Sequence, residues 1–116
     1  MALQEQLNEM AKKLVAEYER YIRRPESPFA PKERTPFHQL VDELERMGLA
    51  TFYPYQHKGS RIFRVVIRVT GSPAIYADGV LKFLNKEFAI AVCDELINQG
   101  NRDLMVVEEI YYGENL

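Results

Sequence analysis

The chain is predicted to fold as a single α+β domain. About four strands form a mostly antiparallel sheet, three helices pack against it, and the order is α-α-β-β-β-α-β. Three observations carry this reading. Apolar residues recur at spacings of three and four in three separate stretches. Ile62-Phe63-Arg64-Val65-Val66-Ile67-Arg68-Val69 has the β-branched and aromatic character that strands prefer. Glycines and prolines fall between these stretches rather than inside them. The expected organisation is one domain over 1–116: an N-terminal helix to 24, a proline-rich loop over 25–36 and a sheet-and-helix core over 37–112.

The first helix runs from about Leu3 to Arg24. Leu3, Leu7, Met10, Leu14, Tyr18 and Tyr21 form its stripe, which Ala11, Val15 and Ile22 widen. Glu9 precedes Lys13 by four residues and Glu19 precedes Arg23 by four, the favourable order for helical ion pairs. The stripe suits packing within the domain, and also suits a homodimer through this helix. Pro25, Pro28, Pro31 and Pro36 exclude regular helix or central strand from the next segment. Arg23-Arg24 ahead of Ser27 faintly resembles a basic-directed phosphorylation site.

Thr35 then caps a second helix and Pro36 occupies its first turn. Phe37, Leu40, Val41, Leu44 and Met47 form its apolar face, and Gly48 ends it. His38 lies off that face, and a solvated surface position is expected for it.

Leu49 to Thr70 is predicted to be a hairpin. Gly59-Ser60 suits a two-residue type II′ loop. That loop sets Lys58 against Arg61, His57 against Ile62, Tyr55 against Arg64, Tyr53 against Val66 and Thr51 against Arg68. Side chains alternate across a sheet. Phe52, Phe63, Val65, Ile67 and Val69 then face the core. Tyr53, Tyr55, His57, Arg64 and Arg68 share the other face with Ile62 and Val66. Pro54 lacks an amide donor and argues that the first strand lies at a sheet edge.

A third strand is expected from about Ala74 to Leu84, interrupted at Asp78-Gly79 by a bulge or a tight turn. Asn85 caps the third helix, with Glu87 in its first turn. Phe88, Ala89, Ala91, Val92, Cys93, Leu96 and Ile97 make a broad buried face, and Gly100 stops the helix. Asp103 to Tyr112 is the last strand. A crossover through the third helix makes it parallel to the third strand. Both its faces are apolar at the start, which predicts a central or covered position.

From Thr35 to Asn98, the order helix, three strands, helix resembles that of a double-stranded-RNA-binding domain. Pro36, Leu40 and Glu43 are similar to the start of that domain's first helix. The second helix departs from the pattern. Asn85-Lys86-Glu87-Phe88-Ala89 sets one lysine beside an acid where that family carries a basic, phosphate-gripping start. Gly59-Ser60 is shorter than the family's characteristic loop, and the last strand is extra. Membership is therefore not inferred.

Composition excludes some classes. Net charge is −2, so no global field draws the chain to nucleic acid or membrane. The single cysteine, Cys93, forbids an intrachain disulfide, which fits a reducing compartment. No apolar run approaches a membrane span, and the N-terminal residues lack the apolar stretch of a signal peptide. A cytoplasmic protein is expected.

Catalytic chemistry has little to work with. Neither histidine has a carboxylate or nucleophile beside it in sequence, and Cys93 falls on a buried helix face. No metal-ligand spacing and no phosphate-binding glycine loop occur. No catalytic residue, cofactor or metal is assigned. The candidate partner-binding residues are Tyr53, Tyr55, His57, Lys58, Arg61, Arg64 and Arg68, in which rings interleave with cations. Glu108, Glu109, Tyr111 and Tyr112 on the last strand are further candidate contacts.

The first expectation is thus a small non-enzymatic binding protein that acts through a protein or nucleoprotein partner. Accessory, regulatory and inhibitory proteins of the kind phages and mobile elements encode fit this description. An RNA- or single-stranded-DNA-binding module using the Tyr/Arg face is the alternative. An enzyme of unrecognised type is the third reading.

Overall fold

A computed structural model describes residues 3–23, 35–53, 59–77, 79–100 and 103–111. In chain order the elements are α1 (Leu3–Ile22), α2 (Pro36–Arg46), β1 (Ala50–Thr51), β2 (Arg61–Ile67), β3 (Lys82–Phe83), α3 (Lys86–Asn98) and β4 (Leu104–Ile110). This is the predicted order, and the fold is α+β. The strands form one antiparallel sheet in the order β1-β3-β2-β4. β3 and β4 both run antiparallel to β2, so they are parallel to each other as expected. The proline-rich loop and Ser27 lie outside the described residues.

Among the described residues, the hairpin expected over Leu49–Thr70 is not formed. β3 stands between β1 and β2, and Phe83 pairs with Ala50 on one side and Phe63 on the other. β1 and β2 therefore run the same way, which a two-residue loop cannot achieve. Thr51 faces Lys82 rather than Arg68, and Val66 bridges Pro73 rather than Tyr53. The cause is local. The Thr51 hydroxyl accepts the Tyr53 N–H at 2.9 Å, a side-chain turn that takes the chain out of β1 after two residues. The expected pairs of Tyr55, His57 and Lys58 lie outside the described residues.

Gly59 and Ser60 do different work from the one expected. Gly59 N–H donates to the Tyr111 carbonyl at 2.7 Å, and Tyr111 N–H donates to the Ser60 carbonyl at 3.0 Å. Two residues thus stand against one, with Gly59 at φ 82°: a β-bulge with glycine in the left-handed region. The glycine that suits a tight hairpin turn also suits this bulge, because both need positive φ.

The caps are as read from sequence. Thr35 and Asn85 accept the backbone N–H groups of His38 and Phe88. Gly48 and Gly100 take positive φ just past α2 and α3. The third strand is shorter than expected over Ala74–Leu84: only Lys82–Phe83 forms a strand, and the segment before it carries isolated bridges, Pro73 with Val66 and Tyr76 with Val80; Asp78 lies outside the described residues.

α3 packs on β2, β3 and β4, and α1 packs on α3 and α2. Leu7, Ala11, Leu14 and Val15 of α1 join one cluster with Phe37, Phe63, Val65, Phe83, Phe88 and Val92. The middle of the α1 stripe is therefore buried inside its own domain, while Leu3 and Ile22 at its two ends are exposed. Nor does α1 lie across the second face of the sheet. Ile62 and Val66 point to that face and are 0% and 3% exposed, outside the main cluster. The core side of β2 is shorter than expected. It ends at Val65: Ile67, the last residue of β2, is exposed and outside the core cluster, and Val69 stands 81% exposed in the following turn. β4 is not central: it is the edge of the sheet, covered by α3 on one face.

Candidate functional site

The residues expected to form one Tyr/Arg face are dispersed. Arg61 and Arg64 differ by an odd number of positions, so they take opposite faces of β2. Arg61 Nη1 lies 3.0 Å from Glu108 Oε2 on the α3 side. Arg64 Nε lies 3.1 Å from Glu109 Oε1 on the second face. Each pair is diagonal in the β2–β4 ladder, within reach of long side chains. Arg68 is exposed in the turn after β2, where its charge reaches Cys93 on α3. Tyr53 follows β1, at the opposite edge of the sheet from β4, and is 52% exposed. Tyr55, His57, Lys58 and Tyr112 lie outside the described residues. Tyr111 is buried.

What the structure does assemble is an aromatic run at the junction of α1, α2 and β1. Phe37, fully buried, is its hub. The rings of Tyr18, Tyr21 and Phe52 lie 5.3, 5.4 and 6.1 Å from it, centroid to centroid. Tyr53 extends the run outward from Phe52 at 6.4 Å. On the other flank the Tyr18 hydroxyl accepts the Tyr76 N–H at 3.3 Å, which fixes the backbone that carries Tyr76. Tyr76 is 57% exposed. Two exposed tyrosines thus flank three half-buried rings that rest on a buried phenylalanine. Centroid separations of this size are those of favourable aromatic pairs.

His38 belongs to the base of this run and is not the solvated residue expected. It is 8% exposed, and its ring meets Tyr21 edge-on at 5.4 Å. Its position is set by the cap of α2. Thr35 N–H donates to His38 Nδ1 at 3.3 Å, and the Thr35 hydroxyl lies 2.8 Å from the same nitrogen. His38 fills the place that Glu or Gln holds in the usual reciprocal capping box. An Nδ1 that accepts leaves the ring proton on Nε2.

The sequence pattern places Tyr18 and Tyr21 on a helix stripe and Phe52 in the core, and nothing in it marks Tyr76. One local signal was available. Tyr18 and Tyr21 close the α1 stripe with rings that carry a polar end, the kind of residue that lines the margin of a core.

Catalytic groups are sparse here. Among the described residues no three His, Cys, Asp or Glu side chains gather as a metal site requires. Cys93 is buried, and burial pushes its thiol above the ordinary value; Asp94 adds to the rise and Arg68 opposes it. Such a thiol is a poor nucleophile. Among the described residues no helix is long and apolar enough to cross a membrane. Comparison with protein-family models, with curated proteins and with solved structures finds no match for the chain.

Proposed function

We propose that the chain is a small non-enzymatic binding protein that docks a protein partner on the aromatic surface of Tyr18, Tyr21, Phe52, Tyr53 and Tyr76. An accessory, regulatory or inhibitory role fits this chemistry. The observation that carries the reading is the exposure of Tyr53 and Tyr76 on either flank of one aromatic run, Tyr53 joined to it by ring contact with Phe52 and Tyr76 by its backbone N–H to the Tyr18 hydroxyl. Tyrosine is enriched at binding hot spots because it supplies contact area and a hydrogen bond at small entropic cost. The supporting rings rest on Phe37, so little ordering accompanies binding. A protein partner is favoured over single-stranded nucleic acid because Arg61 and Arg64 already face Glu108 and Glu109. Cations paired in this way release few counterions from phosphate.

The test is affinity capture from the native host, followed by purification of what is retained. The Tyr53→Ala/Tyr76→Ala double variant should fold, because both side chains are exposed, and should lose the partner. Retention unchanged by the double variant contradicts the proposal. Salt-sensitive binding of oligonucleotides would favour the nucleic-acid reading instead.

A further inference from the structure

The two edges of the sheet differ in kind. β1 is two residues long and is turned away by Thr51, with Pro54 following in sequence. Those are features that blunt an edge. β4 is seven residues long and rich in valine and isoleucine, and it contains no proline or lysine. Its carboxylates, Glu108 and Glu109, face Arg61 and Arg64 of the same sheet. The charges that would repel a second strand are therefore each paired with an opposite charge.

Hydrogen bonds fix which groups of β4 point outward. Tyr111 N–H donates to Ser60, and the Asp103 carbonyl accepts from Arg68 N–H. Antiparallel ladders alternate bonded and non-bonded pairs. The odd-numbered residues of β4 thus bond to β2, and the backbone groups of Leu104, Val106, Glu108 and Ile110 point along the free edge. Among the described residues no strand pairs with them.

We propose that β4 pairs antiparallel with β4 of a second copy of this chain, joining two sheets into one. The occupant follows from the register. A two-fold axis at Val107 sets Val106 against Glu108 of the second copy and Leu104 against Ile110. Every outward donor and acceptor of both strands then finds a partner. The neighbouring registers are worse. One sets Glu108 against Glu108, and the other leaves Ile110 beyond the partner strand. The axis at Val107 also gives Ile110, which is 45% exposed on the α3 side, an apolar neighbour. This surface is distinct from the aromatic one, so either can fail alone.

The test is amide hydrogen exchange by NMR on the full chain at high and low concentration, with mass measured by analytical ultracentrifugation. At high concentration the chain should sediment at twice its 13.5 kDa. The amides of Leu104, Val106, Glu108 and Ile110 should then exchange slowly and lose that protection on dilution. The amides of Met105, Val107 and Glu109 should stay protected throughout. Glu108→Pro, which removes an outward donor together with the exposed Arg61 ion pair and no hydrogen bond to β2, should give a monomer. Val107→Lys, which sets two like charges across the axis, should do the same. A chain that stays monomeric at millimolar concentration overturns the proposal. So does a dimer that survives in either folded variant. Slow exchange of the four outward amides in a monomer also overturns it, since another segment would then cover the edge.

Discussion

Glu109 lies diagonally across the β2–β4 ladder from Arg64 on the second face of the sheet, with Arg64 Nε 3.1 Å from Glu109 Oε1. The approach is close, but it falls short of an aligned hydrogen bond. Ile62 and Val66, both buried, sit beside Arg64 on the same face. The pair is thus part of how the ladder closes, not a free cation held out for a ligand. A double-mutant cycle with Arg64→Met and Glu109→Gln should give a coupling of about 0.5–1 kcal/mol by urea denaturation. Zero coupling would mean that the two charges are solvated separately.

Gly59 should be the most demanding position of the bulge. Its φ is 82°, and nothing lies within 4 Å of where a Cβ would stand. Any penalty is therefore conformational, not steric. Gly59→Ala should lower stability by about 1–2 kcal/mol in thermal unfolding, and Gly59→Asn should cost less, since asparagine tolerates the left-handed region. Equal losses for both would point to a contact that the bulge does not explain.

Thr35 holds α2 through two groups of His38. Thr35→Ala should cost about 1–2 kcal/mol, the upper range for a cap, because a buried imidazole nitrogen also loses its hydroxyl partner. Thr35→Ser should keep most of the stability. An alanine variant as stable as the parent would show that His38 alone organises this end.

Cys93 gives a pH dependence of known sign. Burial and Asp94 raise the thiol in the folded state, so the folded chain holds this proton more tightly than the unfolded one. Stability from this group is complete below the ordinary thiol range and falls as pH rises through the raised folded value. Urea midpoints should therefore decline with pH above the ordinary range, and Cys93→Ala should flatten that decline. A thiol reagent should label Cys93 only slowly in the folded chain. Rapid labelling would contradict its burial.

Local chemistry was legible in the sequence wherever it was self-contained. Thr35-Pro36 and Asn85 act on backbone within a few residues, so the helix starts could be read directly. The alternation along β2 placed Phe63 and Val65 in the core, since one face of a strand is fixed by its own pattern. Strand partnership was not legible. Gly59 supplies positive φ equally to a hairpin loop or a bulge, and β3 contributes only Lys82 and Phe83 to the place between β1 and β2. That insertion broke up the expected Tyr/Arg face. The aromatic surface that replaces it joins residues 18, 37, 52 and 76, which meet only when α1, α2, the end of β1 and the segment between β2 and β3 pack together. His38 was misplaced because its burial comes from Thr35 and Tyr21, neither of which the α2 stripe reveals.

If binding rests on the exposed tyrosines, the captured partner's affinity for two folded variants, Tyr53→Ala/Tyr76→Ala and Arg61→Ala/Arg68→Ala, should separate them. The tyrosine variant should bind at least about tenfold more weakly, as loss of hot-spot residues requires, and the arginine variant should stay close to the parent. A weakened arginine variant beside an unaffected tyrosine variant would contradict the account.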